Sequence, residues 1–138
     1  MRLYEHFYSS DIIVASPLAV RLMTGQETDE TAAKENKIDY DFLSSIEFLV
    51  LDQAEAFVFQ NPEHVEELFK VINKTPKKLS DLNDITRLRD IYTQEHPKLP
   101  KHIRQNIVIQ KFKNTDMEFI YDQYCNQNVL GSILLPKI

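Results

Sequence analysis

Hydrophobic residues along this chain fall in short blocks, and the spacing within a block changes from place to place. Phe48-Leu49-Val50-Leu51 is apolar without alternation, the pattern of a strand covered on both faces of a parallel sheet. Ile12-Ile13-Val14-Ala15 is a second β-branched block, stopped by Ser16-Pro17, and Asn106 to Ile109 forms a third. Between the strands the period lengthens. Val65, Leu68, Phe69 and Ile72 stand at i, i+3, i+4 and i+7, which predicts a helix with one buried face. Asn61-Pro62-Glu63 supplies its cap, its first-turn proline and an acid, and Glu66 with Lys70 predicts a pair on the exposed side. Thr75-Pro76 marks its end.

Shorter helical segments are predicted after Pro17 (Leu18 to Met23), over Asp39 to Ser45, and over Gln53 to Gln60. Ser80 and Asp81 can cap a helix whose apolar side is Leu82, Ile85, Leu88 and Tyr92. Pro97-Lys98-Leu99-Pro100 reads as a rigid connector. Thr115 and Glu118 have capping-box spacing, ahead of a helix with Met117, Ile120, Tyr121 and Tyr124 on its buried face. Residues 24–37 are polar and acidic with almost nothing to bury, as in a mobile surface loop. Val129 to Leu135 reads as a strand or a linker. The alternation predicts an α/β fold, a parallel sheet of three central strands with helices on both faces. Such a sheet is narrow, and its open edge suits a domain completed by other chain or by a partner.

Composition adds mainly exclusions. With 138 residues, 43% of them hydrophobic and 27% charged, the chain has enough material for one domain with a core. No apolar run approaches the roughly 20 residues that span a bilayer, and the first residues lack the apolar centre of a signal peptide. The single Cys125 permits no internal disulfide and reads as a structural thiol. His6, His64, His96 and His102 have no zinc-like spacing, so no metal site is expected. Residues 1–69 hold 4 Lys/Arg and 14 Asp/Glu, whereas residues 70–138 hold 12 and 7, so the halves carry −10 and +5. That split argues against a simple nucleic-acid binder and suits partners of different sign.

Asp52 ends the central strand, the position where open α/β sheets place their chemistry and where nucleotide hydrolases keep a magnesium-holding acid. Its plainer role is to cap the turn through backbone N–H groups. The only glycines are Gly25 and Gly131, and no phosphate-cradling glycine pattern occurs. No cofactor and no small-molecule substrate are expected. Lys98, Lys101 and Arg104, with Lys111 and Lys113 beyond the third strand, form a basic group able to hold RNA or an acidic segment, and Ser16 and Arg21 are candidate phosphate contacts.

Three stretches resemble, in order, motifs of the first RecA-like domain of DEAD-box RNA helicases. Asp11-Ile12-Ile13-Val14-Ala15-Ser16-Pro17 resembles the RNA-touching strand, Asp52-Gln53-Ala54-Glu55 the Asp-Glu-Ala-Asp motif, and Arg104 to Ile109 the strand leading to the Ser-Ala-Thr motif. The departures bear on the chemistry. Gln53 replaces the glutamate that orients the attacking water, and Gln110-Lys111-Phe112 replaces Ser-Ala-Thr. The wording from Tyr8 to Leu18, from Asp41 to Glu47, and through Gln60-Asn61-Pro62-Glu63-His64-Val65 is similar to the digestive organ expansion factor family, also called U-three small nucleolar RNA-associated protein twenty-five.

That resemblance implies a partial RecA-like domain lacking its phosphate loop. Residues 1–127 would be the back of a first such domain and 128–138 the lead into a second. It implies a nucleolar, non-enzymatic component of the small-subunit processome that meets pre-ribosomal proteins, the U-three ribonucleoprotein or pre-ribosomal RNA, with no membrane role. The competing expectation is an ATP-dependent helicase fragment whose phosphate loop lies outside this chain. A third is a small module that dimerises through its open sheet edge.

Overall fold

The structure, a computed structural model, describes residues 7–24, 40–75 and 99–135. The predicted 24–37 loop, the predicted helix from Ser80 and the residue Lys98 therefore lie largely or wholly outside the described residues. Helix α1 spans Pro17–Met23, strand β1 Phe48–Leu51, helix α2 Ala54–Gln60, helix α3 Pro62–Val71, helix α4 Leu99–Ile103, strand β2 Gln105–Val108 and helix α5 Thr115–Ile120. A π turn over Tyr121–Cys125 prolongs α5, and short 3-10 turns occupy Phe7–Ser9 and Asp41–Leu43.

The two strands are parallel neighbours, with Phe48 opposite Gln105 and Leu51 opposite Val108. Leu49, Leu51 and Val108 face the core. Phe48, Val50 and Ile107 face the other way and are 64%, 54% and 38% exposed. The apolar run in β1 thus predicts cover on both faces, while among the described residues α2, α3 and α5 gather on the core side alone. The expectation of helices on both faces is corrected accordingly.

Ile12 to Ala15 also departs from the prediction. It runs without ladder hydrogen bonds, and Ile12 and Val14 are almost wholly exposed. A β-branched block forms a strand only beside another strand, and none lies against it among the described residues.

Local chemistry explains most helix ends. Pro17 starts α1, with Ser16 Oγ accepting from the Ala19 N–H at 3.2 Å. Asn61 caps α3 by accepting from the Glu63 N–H at 3.0 Å. At α5 the cap is Asn114, which accepts from Asp116 N–H at 2.8 Å, so the predicted Thr115–Glu118 box is not used. Lys70 pairs with Glu67 at i,i+3, rather than with Glu66 as the spacing predicts. Of the predicted Pro97–Pro100 connector, Pro97 and Lys98 lie outside the described residues, and Leu99 and Pro100 open α4, where Pro100 is the second residue and its missing N–H costs no intrahelical bond. Val129 to Leu135 adopts neither strand nor helix, and its apolar residues are exposed.

The core joins Leu51 of β1 to Val58, Val65, Leu68, Phe69, Met117 and Ile120 on the helices. Fully burying each such side chain is worth about 1.5–3 kcal/mol.

Candidate functional site

The carboxyl ends of β1 and β2 bring the helicase-like positions together. Ile109 N–H donates to Leu51 carbonyl at 2.9 Å, and Ala54 N–H donates back to Ile109 carbonyl at 2.9 Å. The Glu55 carboxylate then accepts from the Lys111 backbone N–H at 3.2 Å. The turn after β1 is therefore laced to the turn after β2, and Asp52-Gln53-Ala54-Glu55 lies beside Gln110-Lys111-Phe112.

Gln53 takes φ 52°, ψ 50°, a left-handed conformation that costs a non-glycine residue about 1–2 kcal/mol. It lets the chain reverse out of β1 directly into α2. Its side chain is exposed and caps nothing. Asp52 is exposed as well, and among the described residues its carboxylate has no hydrogen-bond partner, so the capping role expected of it is not seen. Phe112 is 61% exposed, with Lys111 Nζ 5.5 Å above its ring. Lys113 binds Glu118 at 2.7 Å, and that hydrogen bond raises its pKa and keeps it charged. Among the described residues no three His, Cys, Asp or Glu side chains converge on a metal position.

The other candidates lie elsewhere. Ser16 and Pro17 open α1, with the Ser16 oxygen already engaged as a cap. The side chain of Arg21 is mostly buried between α1 and α3. It lies 2.9 Å from His64 Nδ1 and 3.9 Å from the Glu63 carboxylate, while its Nε has no partner. The guanidinium of Arg21 thus joins two helices instead of reaching into solvent.

The predicted basic group is not one patch. Lys101 precedes β2 and Lys111 and Lys113 follow it, so roughly 20 Å of extended chain separates them. Arg104 departs furthest from expectation, for it is 2% exposed. Its Nη1 donates to Asn73 Oδ1 at 2.7 Å and its Nε to Asn106 Oδ1 at 2.8 Å. Its guanidinium lies 5.3 Å from the centre of the Phe69 ring, which itself stacks on Tyr124. Arg104 is thus buried, with its guanidinium engaged inside the protein.

Sequence reasoning missed the centre of that network, Asn73. This residue sits just past α3 at φ 59°, buried, and its Nδ2 donates to the carbonyls of Ser44 and Ile46 at 2.9 Å each. The signal was an Asn following the helical period, a residue that tolerates the left-handed turn after a helix. The same network reaches Cys125, whose carbonyl accepts from Asn106 Nδ2 at 3.3 Å. Burial pushes the Cys125 thiol from 9.0 up to about 11, partly offset by the Arg104 charge.

Comparison with known proteins adds an independent line. Residues 1–133 match the family described as UTP25, NTP hydrolase-like domain. The chain is 37% identical over 137 residues to U3 small nucleolar RNA-associated protein 25 of Podospora anserina, covering 99% of this chain and 19% of that protein. It is 38% identical over 133 residues to the Schizosaccharomyces pombe protein of the same name, covering 96% of this chain and 19% of the relative. The Pyricularia oryzae relative is 36% identical over 126 residues, covering 91% and 16%. The chain thus spans 16–19% of the length of these curated relatives. No solved structure matches it.

Proposed function

The chain belongs to the UTP25 NTP hydrolase-like domain family, and from that premise we propose that it serves as a non-catalytic, helicase-like scaffold in small-subunit processome assembly. Its work is early 18S pre-ribosomal RNA processing in the nucleolus. It acts through contacts with pre-ribosomal proteins and with the U3 ribonucleoprotein or pre-ribosomal RNA.

The observation that carries this reading is the state of the β1–β2 carboxyl end. An ATPase there needs an acid on magnesium, a second acid or its equivalent to orient water, and a cradle for phosphates. Gln53 is an amide and cannot act as a general base. It is turned outward at a left-handed position, and Glu55 is engaged with the backbone of the neighbouring turn. What this end offers is an exposed surface of mixed character, with Gln53, Gln110, Lys111 and Phe112 accessible to a partner. Ser16, Lys101, Lys111 and Lys113 are the residues we assign to RNA or protein contact; Lys98 joins them on sequence alone, and Arg104 leaves the set. On this reading residues 1–127 form part of a RecA-like domain and 128–138 lead out of it.

The test is genetic. In the full-length Schizosaccharomyces pombe relative, placing Asn at the position aligned with Asp52 should leave 18S ribosomal RNA levels unchanged. Placing Glu at the positions aligned with Lys111 and Lys113 should lower recovery of U3 RNA with the protein. Loss of 18S RNA in the Asn variant at normal protein abundance would favour the ATPase instead.

A further inference from the structure

We infer that Phe112 is a stacking platform for one unpaired RNA base, whose edges meet the amides of Gln53 and Gln110. The inference rests on the functional reading and narrows its RNA contact to a single-stranded segment held at the carboxyl end of β1 and β2. Phe112 is 61% exposed, with Lys111 Nζ 5.5 Å from its ring centre. A ring left in water contributes little burial to folding, yet the turn that carries it is fixed on both sides. Ahead of it, Ala54 N–H donates to the Ile109 carbonyl at 2.9 Å and Lys111 N–H to the Glu55 carboxylate at 3.2 Å. Behind it, Asn114 caps α5. The ring therefore stands on an anchored backbone, so little order is left to lose on binding.

The same two turns present hydrogen-bonding groups suited to a base edge. Gln53 and Gln110 are exposed, and among the described residues neither side-chain amide has a hydrogen-bond partner. An amide offers both donors and an acceptor, as the edges of unpaired bases require. Gln53 also keeps φ 52°, a conformation that glycine would adopt at no steric cost. Strain of this kind persists where a side chain is needed at the spot, and an amide aimed at a ligand is such a need.

Charge decides how the strand is held. Lys113 is bound to Glu118 at 2.7 Å, and Asp52 and Asp116 are exposed at the same end, so positive charge is not in excess. Such a surface does not track a run of phosphates. Lys111, whose ammonium has no carboxylate partner among the described residues, supplies one phosphate contact at most. Stacking needs no charge, tolerates any base and is worth about tenfold per base. Duplex RNA hides its base faces, so the segment is single-stranded. The core of a protein interface is apolar and poor in lysine. Phe112 is instead flanked by Gln110, Lys111, Lys113 and Asn114, which favours RNA over a protein partner.

The experiment uses the full-length Schizosaccharomyces pombe relative and a single-stranded oligouridylate carrying 5-bromouridine. One variant places Leu at the position aligned with Phe112, and a second places Tyr there, which keeps a ring. Irradiation should join the oligonucleotide to the peptide holding this position in the Tyr protein, and the Leu protein should lose that adduct. The Leu protein should also bind the oligonucleotide about tenfold more weakly than the Tyr protein, by the same factor at low and high salt, because stacking releases no counterions. Equal affinities, an adduct that persists with Leu, or no adduct at this position with Tyr would overturn the proposal. So would benzoylphenylalanine at the same position that joins to protein and not to RNA. If the proposal fails in this way while Glu at the positions aligned with Lys111 and Lys113 still lowers U3 RNA recovery, the functional reading stands without it. Both variants must elute as the unaltered protein does, which separates misfolding from loss of the ring.

Discussion

The two ends of the β1–β2 sheet are built differently. At the amino end, Arg104, Asn73, Asn106 and the carbonyls of Ser44 and Ile46 make a buried, well-bonded knot, closed over by Phe69 and Tyr124. At the carboxyl end, where α/β proteins usually keep their chemistry, the side chains of Asp52, Gln53, Gln110, Lys111 and Phe112 are exposed, and the turns are joined by the Ala54–Ile109 backbone bond and the Glu55 carboxylate-to-Lys111 amide bond. The contrast teaches that binding energy here is concentrated in holding the architecture. The end that would carry catalysis is left as accessible surface.

The largest effect should come from cutting the knot. Arg104→Ala leaves the Asn73 and Asn106 amide oxygens without their donor in a buried site, and should cost about 3–5 kcal/mol in chemical denaturation. Arg104→Lys should recover less than half of that, because an ammonium lacks the planar fork that reaches both amides. A near-neutral Arg104→Ala would remove the distinction between the two ends.

The Cys125 thiol probes the same end without mutation. With its pKa raised from 9.0 to about 11, alkylation of the folded protein at pH 8 should be about 100-fold slower than in urea. The sign follows from proton binding: the folded thiol holds its proton more tightly than the unfolded one. Its contribution to stability is therefore complete below about pH 9 and is lost as pH rises through 11. Equal alkylation rates in the two states would show an open amino end.

Smaller effects sharpen the picture elsewhere. Asn114→Ala removes the α5 cap and should cost about 1 kcal/mol, read from the unfolding midpoint. Thr115→Ala should be nearly silent, because the predicted capping box is not used. Gln53→Gly relieves a left-handed residue at the carboxyl end and should gain up to about 1 kcal/mol. A loss on Gln53→Gly would mean that the amide itself holds the turn.

Contiguous patterns were legible in the chain. β1, β2, α1 and the cap of α3 lie close to where apolar blocks, Pro17 and Asn61-Pro62 put them, because each depends on neighbours in sequence. What escaped depends on distant partners. Nothing in Arg104-Gln105-Asn106 tells a buried guanidinium from an exposed one, since its acceptors lie in part at Asn73, thirty-one positions away. The apolar run of β1 reads as a strand covered on two faces, whereas among the described residues only the Leu49–Leu51 face is covered. Ile12–Ala15 has the composition of a strand, and no strand lies against it among the described residues.

The measurement that bears most directly on the scaffold reading is ATP turnover by the full-length Schizosaccharomyces pombe relative with and without single-stranded RNA. It should be made beside a variant carrying Glu at the position aligned with Gln53. The account predicts no RNA-stimulated hydrolysis in either protein. RNA-stimulated turnover by the unaltered protein would contradict it and return Asp52 to the role of magnesium ligand.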